Sequence, residues 1–91
     1  MYDISFEEVD HLIRLMNDTF DSHTFICEYI YRFPSSYGGL LIKHNNVTTA
    51  HAEIANFLRN KSIELNIRKV GDSESADIFG NNVPCANWSK L

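Results

Sequence analysis

Apolar residues recur at helical spacing up to about residue 60 and then change to strict alternation, so helices are expected first and a strand afterwards. Ser5 and Glu8 have the spacing of a capping box, and Ile4 and Val9 that of a hydrophobic staple. Phe6, Val9, Leu12, Ile13, Met16 and Phe20 continue one stripe opposite Glu7, Asp10, Arg14 and Asn17, which predicts a first helix over residues 6–19. Asp21 or Ser22 caps a second, whose buried stripe is Phe25, Ile26, Tyr29, Ile30 and Phe33, and Pro34 stops it at Phe33.

A third helix is expected over residues 36–44, with Tyr37, Leu40 and Leu41 on one side. Gly38 and Gly39 cost it roughly 2 kcal/mol of propensity relative to alanine, so packing must support it. Asn45 and Asn46 suit a helix exit, and Thr48 or Thr49 restarts a fourth helix over 48–60, with Val47, Ala50, Ile54, Phe57 and Leu58 inward. Glu53, Asn56, Arg59 and Asn60 face outward.

From Ile63 the period becomes two. Ile63, Leu65 and Ile67 alternate with Glu64, Asn66 and Arg68, the pattern of a half-buried strand over 63–70 that Gly71 ends. Asp72–Ser75 reads as a polar turn, Ala76–Phe79 as a possible return strand, and Gly80-Asn81-Asn82 as another turn. Residues 84–91 read as a tail packed by Trp88. The fold class is therefore α+β: one small domain over residues 1–91, about four N-terminal helices followed by a short two-stranded β element, in an order that resembles a winged helix in outline.

Composition sets outer bounds on function. The 91 residues are 44% hydrophobic and 22% charged, the usage of one folded domain rather than of a disordered chain. No run approaches the ~18 apolar residues of a membrane span, and Met1-Tyr2-Asp3-Ile4 is not a basic leader. The expectation is a cytoplasmic protein without a membrane partner. In that compartment Cys27 and Cys85 are reduced thiols, one of them a small core residue, and the Asn-x-Ser/Thr triplets at Asn46, Asn60 and Asn87 are coincidental.

Charge is uneven. Residues 1–42 hold seven acids and two bases, and residues 43–91 hold five acids and six bases, for a net charge of −4. Phosphate contacts supply most nucleic-acid affinity, so DNA binding requires folding to gather Lys43, Arg59, Lys61, Arg68 and Lys69 into one face. The helices at 36–44 and 48–60, separated by a short turn, have the order of a helix-turn-helix pair, with the following hairpin as a wing. Asp72 and Glu74 on that wing, and Glu53 on the fourth helix, repel phosphate.

No spacing names a reaction. His11, His23, Cys27, His44, His51 and Cys85 form no Cys-x-x-Cys or His-x-x-x-His pair, so neither a metal nor another cofactor is expected. His51 should border the core beside Ala55 and Leu58, and His23 should sit in an exposed first turn. There is no glycine-framed nucleophile, and Glu7, Glu8 and Asp10 suit the positive end of a helix better than acid–base catalysis. Glycines 38 and 39 have no Lys and Ser/Thr companion to make a phosphate loop.

Aromatic residues are the remaining signal: Tyr2, Phe6, Phe20, Phe25, Tyr29, Tyr31, Phe33, Tyr37, Phe57, Phe79 and Trp88 are many for so small an interior. Tyr31 lies off its helical stripe, while Phe79 and Trp88 occupy weakly patterned segments. These three are the candidates for an apolar interface, and the leading expectation is a non-enzymatic module that binds a protein partner or itself. The alternative is a winged-helix DNA-binding domain that uses helix 48–60 and the adjoining basic strand.

Overall fold

A computed structural model describes residues 4–77 and 79–91; Tyr2, and Ile78 within the expected return strand, lie outside the described residues. The elements are α1 (Phe6–Leu15), β1 (Thr19–Asp21), α2 (Ser22–Arg32), α3 (Pro34–His44), α4 (Val47–Asn60), β2 (Ile67–Ala76) and β3 (Asn82–Lys90). Four helices thus accompany a three-stranded antiparallel sheet of order β1-β3-β2, where two strands were expected.

Helix starts follow local chemistry. Ser5 Oγ accepts from the Glu8 backbone N–H at 3.3 Å, and Ile4 packs against the core that contains Val9. Asp21 closes β1 and also caps α2, accepting from the Thr24 N–H at 2.7 Å. Helix α3 begins at Pro34 rather than Ser36, because the first helical position is one where the missing proline N–H costs nothing. Asn45 exits α3 in the left-handed region (φ 52°), and Asn46, not a threonine, caps α4 through the Thr49 N–H at 2.9 Å.

The larger corrections concern strands. Helix α1 stops at Leu15 rather than Thr19, and residues 19–21 become β1 because Phe20 finds Trp88 as its partner across the ladder. The expected strand at 63–70 starts only at Ile67: residues 61–66 form turns, Ile63 is 83% exposed, and Asn66 (φ 58°) reverses the chain. Leu65 and Ile67 are buried as the alternation required.

Strand β2 then runs through Gly71 and the acidic segment that reads as a turn. A bulge between Lys69 and Gly71 shifts its register. Polar residues are stable there because β2 is an edge strand, where charged side chains also discourage pairing with another chain. The reversal falls at Asp77–Asn81, whose Asp77 Oδ1 accepts from the Phe79 and Asn81 backbone N–H groups at 2.9 and 3.0 Å. The expected tail is β3, the central strand. Pro84 is tolerated in it because β1 covers only residues 87–89, leaving β3 paired on one side at 84.

One core joins these layers: Val9, Leu12 and Ile13 from α1, Phe25, Ile26 and Tyr29 from α2, Leu40 from α3, Ala50, Ile54 and Leu58 from α4, and Phe20, Leu65, Ile67 and Trp88 from the sheet side. Two buried hydroxyls have opposite roles. Ser22 Oγ accepts from the Trp88 indole N–H at 3.1 Å and lies 3.4 Å from the Ala86 carbonyl. Among the described residues the Tyr29 hydroxyl lies beside Ser36 and Glu8 without a well-formed hydrogen bond, while Ser36 donates to the Glu8 carboxylate at 2.8 and 2.9 Å. Burial, with the Glu8 charge nearby, pushes Tyr29 up to about 12.

The two hydroxyls should respond differently to removal. Ser22→Ala orphans a buried indole N–H and is expected to cost about 1–3 kcal/mol, whereas Tyr29→Phe removes an unsatisfied group and should be neutral or stabilising. Denaturant midpoints at constant slope measure both, and a large loss in Tyr29→Phe would show that its hydroxyl has a partner.

Candidate functional site: the groove between α4 and the hairpin

The β2–β3 hairpin lies beside α2 and α4 and leaves an open hollow of about 430 Å³. Helix α4 contributes Thr48, His51, Ala52, Ala55 and Arg59, α2 contributes Ser22, His23 and Ile26, and the hairpin contributes Asp77, Phe79, Pro84, Cys85, Ala86 and Trp88. Its walls are mostly apolar and its rim carries ionisable groups. This is the usual character of a binding cleft.

Phe79 forms one lip. It is 61% exposed, yet its ring stacks on His51 at 6.4 Å between centroids and 22° between planes. The opposite side of the contact is anchored on α3: the Tyr37 hydroxyl lies 2.6 Å from His51 Nε2. Burial holds His51 below the ordinary histidine pKa of 6.5, with nearby His23 acting in the same direction and Asp77 opposing. A neutral ring protonated on Nδ1 lets Nε2 accept the tyrosine proton. Protonation of Nε2 turns the hydroxyl into an acceptor.

Beside the groove, Ser75 Oγ lies 2.8 Å from His23 Nδ1 and 3.5 Å from Cys85 Sγ. His23 is half-buried against the hairpin rather than exposed in the first turn of α2. Burial opposes ionisation of Asp21, but hydrogen bonds from Thr24 and Ser75 outweigh it and hold its pKa below the ordinary value. The cluster ties the start of α2 to β2 and β3. Neither cysteine is a core residue: Cys85 is half-buried and Cys27 exposed on α2. Partial burial, then the charges of Asp21, Glu28 and Asp77, push the Cys27 thiol up, which disfavours the nucleophilic thiolate. Among the described residues no group of three His, Cys, Asp or Glu side chains is placed to hold a metal.

The three aromatic interface candidates separate. Phe79 is at the groove and exposed; Tyr31 is 78% exposed on α2 but does not line the groove. Trp88 is 2% exposed, so its ring is occupied by core packing and the bond to Ser22, and it floors the groove instead of presenting a contact surface.

The basic candidates also divide. Arg59, Arg68 and Lys69 border a second, shallower hollow at the base of the hairpin together with Ser62, Ile63, Asn66, Ile67, Trp88 and Leu91. Lys69 pairs with Asp72 at 3.1 Å and Lys61 with Glu64 at 3.7 Å. Lys43 is exposed on α3 and belongs to neither hollow. Sequence reasoning missed the groove because His23, His51, Asp77 and Pro84 come from four separate segments. The one available signal was an aromatic beside a Gly-Asn-Asn turn.

No protein-family model, curated protein or solved structure matches this chain. Among the described residues no helix is long and apolar enough to cross a membrane.

Because His51 titrates below 6.5 in the fold and at its ordinary value when unfolded, its contribution to stability is complete above pH 6.5 and is lost as pH falls through the folded value. Thermal melts of the wild type should therefore drop more on acidification from pH 7 to about pH 5 than those of His51→Gln. Equal drops would remove His51 as the responsible group.

Proposed function

We propose that this chain is a non-enzymatic binding module of winged-helix outline that takes a polypeptide surface in the groove between α4 and the hairpin. The outline is supported by element order: a helix, then β1, then further helices ending in the α3–α4 pair with its two-residue turn, then a hairpin whose second strand pairs with β1. In such an arrangement the second helix of the pair and the adjoining hairpin form the recognition surface.

The choice of polypeptide rests on one observation: the groove is apolar inside, with Asp77 on its hairpin rim. Glu74 is the register partner of Pro84, which lines the groove, so its side chain lies on the groove's flank; Asp72, the partner of Ala86, is paired with Lys69 at 3.1 Å. Glu53 is exposed on α4. Arg59 is the one Lys or Arg among the groove's lining residues. A phosphate backbone laid there would meet like charge, whereas an apolar side chain flanked by Lys or Arg finds both a hollow and a counter-charge.

A second reading, duplex DNA, has in its favour the basic hollow that gathers Arg59, Arg68 and Lys69. It ranks below the first because those cations lie at the end of α4 and the start of β2, away from the hairpin turn, and Lys69 already has Asp72 as a partner.

A peptide-display selection against the folded domain decides between them. Enriched sequences should carry an apolar residue flanked by Lys or Arg and bind Phe79→Ser at least about tenfold more weakly than wild type. Submicromolar binding of a duplex at physiological salt, lost in Arg68→Ala/Lys69→Ala, would place nucleic acid first.

A further inference from the structure

One face of α4 runs along the groove, and its chemistry changes from end to end. Thr48, His51, Ala52, Ala55 and Arg59 recur at spacings of three and four, so they share that face. His51 marks one end, against the ring of Phe79 and close to Asp77; Arg59 marks the other, and two alanines leave the middle open. We infer that the polypeptide taken by the groove is an extended segment of split charge: a Lys or Arg at the hairpin-turn end, an apolar side chain over Ala52 and Ala55, and, about four residues from the cation, an Asp or Glu bound at Arg59. The inference rests on the polypeptide-binding reading and specifies the sequence chemistry of the partner.

The arginines show which charge the far end lacks. Arg14 pairs with Asp10 at 3.0 Å and Arg32 with Glu28 at 3.4 Å, each along its own helix. Among the described residues Arg59 and Arg68 have no acidic partner. Arg59 Nη1 donates to the neutral Asn56 side-chain oxygen at 3.3 Å, and Arg68 has neither a side-chain hydrogen bond nor an ion pair. Both line the base hollow, which adjoins the groove through the shared walls of Arg59 and Trp88. No Asp or Glu lines that hollow, and Asp72 and Glu64 are engaged by Lys69 and Lys61. Arg68 and Lys69 are neighbours on β2 and project to opposite faces, so Arg59, which lines both hollows, makes the contact, and Arg68 adds its field from the base. In a chain of net charge −4, two guanidinium groups without an acid of their own suit a carboxylate supplied by a partner.

The turn end requires the opposite sign. Both bonds accepted by Asp77, from the Phe79 and Asn81 N–H groups, go to Oδ1, which leaves Oδ2 without a bond among the described residues. Glu74, exposed and in no ion pair among the described residues, stands opposite Pro84 on the groove's flank. The helix rises roughly 12 Å from His51 to Arg59 at ~1.5 Å per residue, and an extended chain at ~3.3 Å per residue crosses that in about four residues. Between the ends an apolar side chain meets Ala52, Ala55, Ile26 and Ala86. A segment with cations at both ends would set one of them against Arg59, so the groove's own ends demand the change of sign.

Selection from a random displayed-peptide library against the wild type and against Arg59→Glu tests this. The wild type should enrich peptides with a Lys or Arg and an Asp or Glu about four residues apart and an apolar residue between them, in either chain direction. Arg59→Glu should select a Lys or Arg in place of the acid. In the best wild-type peptide, replacing the acid by its amide should weaken binding to the wild type roughly threefold, the scale of a solvent-accessible ion pair, and leave binding to Arg59→Gln unchanged. Arg59 is exposed, so both variants should melt like the wild type. Enriched peptides without the acid, an acid that Arg59→Glu selects equally, or the same loss on Arg59→Gln overturns the split-charge partner while the groove stays a peptide site. If neither protein enriches peptides, the polypeptide reading falls with it.

Discussion

The Trp88 indole on the central strand reaches into the core, and its N–H meets the hydroxyl of Ser22 in the first turn of α2. That bond joins residues 66 positions apart, and most of the architecture is arranged around it. In the ladders Trp88 stands between Phe20 of β1 and Lys69 of β2, so one residue sits in the row that makes three strands a sheet. Ser22 follows directly on Asp21, the cap of α2, and the same contact therefore sets where the helix begins relative to the sheet. Because Trp88 also forms a wall of both hollows, those hollows are built on the core rather than on loops.

Edge position explains the segregation of charge on the hairpin. Strand β2 has β3 on one side and solvent on the other, which lets it carry Arg68, Lys69, Asp72 and Glu74 within a few residues. The bulge at Val70 separates the two signs, with cations before it and acids after it. The chain's net charge of −4 averages over this separation, whereas a charge approaching the hairpin meets the local field.

Legibility in the sequence followed the range of the interaction. The start of α1 at Ser5 and Glu8, the break at Phe33–Pro34 and the apolar face of α4 were readable because caps, proline and helical period act within a few residues. Strand β1 was not. Phe20 fits the helical stripe of α1 by spacing, and only Trp88, 68 positions on, makes it a strand residue. The acidic stretch Asp72–Ser75 likewise has the composition of a turn, and an edge strand needs no alternation of apolar residues to form. The same limit applied to the site: Phe79 and Tyr31 were recognisable as aromatics without a place in a stripe, but the partners His51, Tyr37 and Asp77 that distinguish them arrive through the tertiary fold.

Those partners decide which exposed aromatic can serve as an anchor. Tyr31 is the more exposed of the two and, among the described residues, has no ring contact. Ordering such a side chain on binding costs about 0.5–1.5 kcal/mol, which subtracts from whatever the contact contributes. Phe79 has met much of that cost in the free chain. Its backbone N–H is held by Asp77, its ring rests on His51, and His51 is fastened through Tyr37 to α3. A partly exposed ring held through its backbone by Asp77 and through its face by His51 is more ordered before any contact than Tyr31, and this is why the hairpin turn, rather than the outer face of α2, is the stronger candidate for the point of contact.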